Sequence, residues 1–89
     1  MEFRKVLSPS AAKYKYFALP KKVRDEFPEK DVAMTMKFKG KTYTVHVNNK
    51  DCIMLTQLYY AYQFAEGDEV KITKDKKGIF ELTVIPPNS

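Results

Sequence analysis

The sequence holds one cysteine, one histidine, three glycines and no tryptophan. A single thiol, Cys52, excludes an internal disulfide and any cysteine-based zinc cluster, and it fits a reducing compartment. One imidazole and no clustered carboxylates leave no metal site to expect. The three glycines, Gly40, Gly67 and Gly78, fall at turns between expected strands, so there is no glycine-rich phosphate loop. No apolar run approaches the roughly 18 residues of a membrane span. The opening Met1-Glu2-Phe3-Arg4-Lys5 turns straight into polar sequence and predicts no secretory signal segment. His46 is expected on the outer face of a strand, and Cys52 in an apolar run reads as a buried, inert thiol. No enzymatic activity and no cofactor are therefore expected.

What is present is a folded, basic chain. Eighty-nine residues suffice for one domain, with the core expected at residues 3–85 and a frayed tail at 86–89. The hydrophobic fraction of 44% is too high for a disordered chain. Sixteen Lys and Arg against eleven Asp and Glu give a net charge of +5, which favours a polyanionic partner. The expectation is a small, soluble, intracellular domain.

Periodicity supplies the architecture. Glu2–Leu7 reads as a short strand with Phe3, Lys5 and Leu7 on one side, broken by Ser8-Pro9-Ser10. Ala11–Leu19 reads as a second strand. Pro20 suits the first position of a short helix over Lys21–Phe27, closed by Pro28. Val32, Met34, Met36 and Phe38 alternate with polar residues, Lys39-Gly40 turns the chain, and Tyr43, Val45 and Val47 alternate back, a hairpin by strict period two. Asn48–Asp51 is a turn, Cys52–Leu55 a strand, and Leu55, Leu58, Tyr59 and Tyr62 have the spacing of a second short helix. Val70 and Ile72, then Phe80, Leu82 and Val84, face inward from two last strands separated by the charged loop 74–78. The sum is mainly β with two short helices, about seven strands in a barrel-like arrangement.

Two segments stand out chemically. In Lys13-Tyr14-Lys15-Tyr16 basic and aromatic residues alternate, and a strand would set both lysines on one face and both tyrosines on the other. Lysines neutralise phosphates and a tyrosine hydrogen-bonds or stacks; an edge strand guarded by lysines is the equal alternative. In Asn48-Asn49-Lys50 the amides suit adenine and the lysine guanine or phosphate, against plain turn chemistry. Asp25, Glu26, Glu29 and Asp31 at the end of the first helix read as a solvated face or an acidic interaction patch. Tyr59 and Tyr62 read as core, and Tyr60 as exposed.

In order and spacing the chain resembles the plant-type B3 DNA-binding domain. The residues that carry the likeness are Phe3, Lys5 and Leu7, then Pro9-Ser10, Leu19-Pro20-Lys21, Phe27-Pro28, Met54-Leu55-Thr56 and Gly67-Asp68-Glu69-Val70. The resemblance implies an open seven-stranded pseudobarrel that grips the major groove of double-stranded DNA with two arms and regulates transcription. The N-arm would be Ser10–Phe17, with contacts from Ser10, Lys13, Lys15 and Tyr16. The C-arm would be Asn48, Asn49, Lys50 and Asp51, with Lys5, Lys21 and Lys37 adding a diffuse positive field. It implies the nucleus if the source is a plant, and the cytoplasm or nucleoid if bacterial, since bacterial restriction enzymes use similar recognition domains. Tyr43 and Tyr59 stand where the family has tryptophan, Tyr16 replaces a frequent arginine, and Asp51 puts a negative charge in the C-arm, so no family recognition sequence transfers. A small barrel binding RNA or single strands, and a protein-interaction domain, are the alternatives. The antitoxin-like swapped hairpin suggested by Leu19–Arg24 fails on spacing, because Gly67-Asp68 follows some forty residues later.

Overall fold

The computed structural model describes residues 1–86. Of the tail expected at 86–89, residues 87–89 lie outside the described residues. The elements run β1 (Glu2–Val6), α1 (Pro9–Tyr14), β2 (Tyr16–Ala18), α2 (Lys21–Arg24), β3 (Met34–Phe38), β4 (Lys41–Val45), β5 (Cys52–Met54), a 3₁₀ turn (Leu58–Tyr60), β6 (Glu69–Lys74) and β7 (Phe80–Ile85). This is the expected mainly β fold with two short helices.

Five strands form one sheet in the order β1-β6-β7-β3-β4, and β2 and β5 form a separate two-stranded ribbon. Within the sheet the pairs are antiparallel except β3 with β7, which run parallel through Met36 and Phe80. The sheet is open, so the barrel is incomplete. Alternation puts Met34, Met36 and Phe38 of β3, Val70 and Ile72 of β6, and Phe80 and Leu82 of β7 into one core. Phe17 and Ile53 close it from the ribbon side; the ring of Phe17 meets that of Phe3 edge-on at 5.7 Å. Asp68, a buried carboxylate, accepts from Tyr62 Oη at 3.1 Å and from Ala65 N at 2.9 Å.

Four local expectations are corrected. Ala11–Leu19 is not one strand: residues 9–14 are helical and only Tyr16–Ala18 is extended. Ser8 caps that helix by accepting from Ala11 N at 3.2 Å, Pro9 takes a first-turn position, and Lys15 ends it in the left-handed region at φ 60°. The expected helix over Lys21–Phe27 stops at Arg24, with Pro20 as its cap. Residues 25–27 continue as tight turns that swing Phe27 onto Phe80, rings parallel at 4.7 Å. The second expected helix is reduced to the 3₁₀ turn, although its spacing holds: Leu55 and Leu58 are buried, Tyr59 and Tyr62 half-buried, and Tyr60 is 93% exposed. Val32 is also exposed, because the left-handed turn at Asp31 precedes it and β3 starts only at Met34.

Candidate nucleic-acid interface

The ribbon builds the site. Tyr16 pairs with Met54, Phe17 with Ile53, and Ala18 with Cys52. Because successive residues face opposite ways, burying Phe17 and Ile53 turns Tyr16, Ala18, Cys52 and Met54 outward on one face. They line an open groove of about 510 Å³ together with Tyr14 from the end of α1 and Asn48 and Lys50 from the loop before β5. Two main-chain hydrogen bonds bracket the ribbon. Leu55 N donates to Lys15 O at 2.7 Å, and Leu19 N donates to Asp51 O at 2.9 Å. The two arms are thus joined at both ends to the structure that forms the floor.

The C-arm is a short hairpin tip. Val47 bridges Ile53, and Asn48 N donates to Cys52 O at 2.8 Å. The Asn48 side chain holds the tip closed: its Oδ1 accepts from Lys50 N at 2.9 Å and from Cys52 N at 3.1 Å. Its carboxamide NH₂ is left as the outward donor. Asn49 is exposed, and among the described residues its side chain has no hydrogen-bond partner. The negative charge of Asp51 is neutralised from behind: Arg24 Nε donates to Asp51 Oδ1 at 2.9 Å, while Arg24 Nη1 donates to Phe27 O and Pro28 O.

Charge gathers at the rim. Among the described residues Lys13, Lys15 and Lys50 make no ion pair, whereas Arg4, Arg24 and Lys74 do. The Lys15 ammonium lies over the Tyr59 ring at 5.3 Å, and Tyr59 Oη donates to Ala12 O at 2.9 Å, which braces the N-arm. Lys5 Nζ donates to Ala18 O at 3.3 Å, at the edge of the groove. Burial pushes the Cys52 thiol above its ordinary pKa; the nearby Lys5 ammonium pulls it down, Asp51 adds to the rise and Lys50 opposes it.

Three solved structures share this fold. A hypothetical Arabidopsis thaliana protein superposes with a TM-score of 0.72 at 14% identity, over 99% of this chain and 92% of that one. The N-terminal domain of Helicobacter pylori LlaJI.R1 gives 0.77 at 10% identity, over 96% and 87%. Arabidopsis FUS3, solved as a complex with DNA, gives 0.68 at 18% identity, over 92% and 93%. The chain has the B3-like pseudobarrel fold. No protein-family model and no curated protein sequence matches it.

The pseudobarrel brings together some of the residues expected from sequence and not others. Tyr16, Asn48 and Lys50 line the groove; Ser10, Lys13, Lys15 and Asn49 are exposed on the arms outside its lining. Lys13–Tyr16 is not a strand, yet Tyr14 and Tyr16 do face the groove and the two lysines do not, because the left-handed step at Lys15 replaces the alternation of a strand. Lys37, expected only to add to a diffuse positive field, lies near the Asp75 carboxylate at the β6–β7 turn. The bidentate adenine contact expected of Asn48 needs an oxygen that the loop already occupies. Ala18, Cys52 and Met54 were missed as lining residues. Their only signal is a pairing between residues 16–18 and 52–54, which local periodicity does not encode.

Proposed function

We propose that this B3-like pseudobarrel binds double-stranded DNA, with the major groove entering between its two arms and no catalytic step of its own. The observation that carries the reading is the open groove with donors at its edge and ion-pair-free lysines on both flanks. Lys13, Lys15 and Lys50 would meet phosphates or guanine edges, Asn48 and Asn49 base edges, and Ser10 and Tyr16 the backbone. The likeness to FUS3, itself solved with DNA, supports DNA as the partner. On this reading neither His46, exposed and 4.0 Å from Asp31, nor Cys52, whose Sγ lies 3.5 Å from Lys50 O, takes part in a reaction. Transcription regulation is the role this reading implies.

The test is selection from a random duplex library at ~150 mM salt, with a single-stranded library in parallel. An enriched duplex motif is the expected result. Enrichment only among single strands, or no enrichment, overturns the reading.

A further inference from the structure

The floor of the groove has a chemistry that its rim does not explain. Tyr16, Ala18, Cys52 and Met54 present an uncharged, largely apolar strip between two cationic arms. Met54 is 39% exposed and does nothing visible for the core, which Ile53 fills from the opposite face. Apolar surface set inside a basic groove suits a polyanion that carries an apolar group on its accessible edge. In a DNA major groove that group is the C5-methyl of a pyrimidine, and its unmodified bearer is thymine. The polar atoms beside the strip narrow the choice. Asn48 is fixed by two main-chain N–H groups on its Oδ1, so it offers only N–H toward the groove, and Lys50 likewise only donates. The hydroxyls of Tyr14 and Tyr16 donate or accept and do not discriminate. Thymine presents an acceptor, O4, next to its methyl; 5-methylcytosine presents an amino donor there.

Resting on the duplex-DNA reading, we infer that the ribbon face is a thymine-reading surface: the C5-methyl lies against Ala18 and Met54, and O4 accepts from the carboxamide NH₂ of Asn48. It follows that the groove distinguishes thymine both from uracil, which lacks the methyl, and from 5-methylcytosine, which keeps the methyl and reverses the hydrogen bond.

The experiment uses the duplex recovered by selection, with each thymine replaced in turn by deoxyuridine or by 5-methylcytosine paired with guanine. At one thymine or more, deoxyuridine is expected to weaken binding by about fourfold, the worth of one buried methyl, and 5-methylcytosine by more. In Met54→Ala the thymine-to-uracil ratio should fall toward one. Equal binding of thymine and deoxyuridine at every position overturns the inference, as does a preferred site without thymine. So does 5-methylcytosine binding as tightly as thymine, or a Met54→Ala protein with an unchanged ratio. In each of those cases the duplex-binding reading survives if Lys50→Ala still weakens binding. Absence of any enriched duplex removes that reading itself.

Discussion

Lys15 carries two burdens in a single residue. Its backbone is left-handed at φ 60°, ending α1, and among the described residues its ammonium at the N-arm rim has no acidic partner. A side chain with a Cβ is strained there, whereas glycine is not. Lys15→Gly is therefore expected to stabilise the protein by about 0.5–1 kcal/mol in guanidinium denaturation. Both Lys15→Gly and Lys15→Ala should weaken binding to all duplexes alike and flatten the dependence of log K on log salt by about one. A stabilised Lys15→Gly protein with unchanged affinity would remove Lys15 from the interface. The adjacent asparagines separate in the opposite way. Asn49→Ala, which breaks no internal bond, should leave stability unchanged and cost about 1–3 kcal/mol on the preferred duplex only. Asn48→Ala strips two loop N–H groups of their acceptor and should lower stability by about 1–2 kcal/mol as well. Parallel melts and binding titrations of the two variants distinguish these outcomes.

At the scale of the elements, the arms are held by ties placed away from the groove. Arg24 joins the C-arm to the turn after α2, and its guanidinium points at Asp51, Phe27 O and Pro28 O, none of them in the groove lining. Arg24→Ala should speed amide hydrogen exchange at residues 48–52 and weaken duplex binding, while Asp51→Asn, which keeps the shape of the tip, should affect exchange less. Unaltered exchange in Arg24→Ala would show that the tip holds itself. These ties also mark where sequence reading succeeds and stops. The β3–β4 hairpin was legible because Met34, Met36 and Phe38 alternate cleanly and one face must be buried. Helix α1 was misread because it is six residues long and its Tyr and Lys alternate as in a strand. The overlooked clue was Ser8-Pro9, a cap followed by a residue suited to the first turn. The polar tips of both arms were legible from composition. The apolar floor was not, since residues 16–18 meet residues 52–54 only through tertiary folding.

Over the whole molecule, titration sets a limit on stability at high pH. Burial holds Cys52, Tyr59 and Tyr62 above their ordinary pKa values, with Asp68 adding to the rise at both tyrosines. The native state then keeps protons that the unfolded chain releases, so it binds more of them and stability falls as pH rises past the ordinary cysteine and tyrosine values of about 8.5 and 10. Asp75 works at the other end. Its carboxylate accepts from Ile79 N and Lys77 N, which lowers its pKa, so its contribution is present above the ordinary carboxylate range and is lost as pH falls through the lowered value. Denaturant midpoints measured from about pH 3 to pH 11 should trace a plateau at neutrality with a decline on both sides. A midpoint that still climbs above pH ~10 would contradict the assignment for the thiol and the two phenols.

The position of β7 gives the protein a schedule as well as a shape. Phe80–Ile85 is synthesised after every other strand, yet it lies in the middle of the five-stranded sheet, between β6 and β3. Before it joins, the β3–β4 hairpin lacks its partner on one edge, β6 has only β1 to pair with, and Phe27 lacks the Phe80 ring to stack on. At translation rates of about 5–20 residues per second, the β3–β4 hairpin waits roughly 2–8 s for β7 to be made, and β6 only about 0.5–2 s. β7 is the strand that joins the β3–β4 pair to the β1–β6 pair in one sheet.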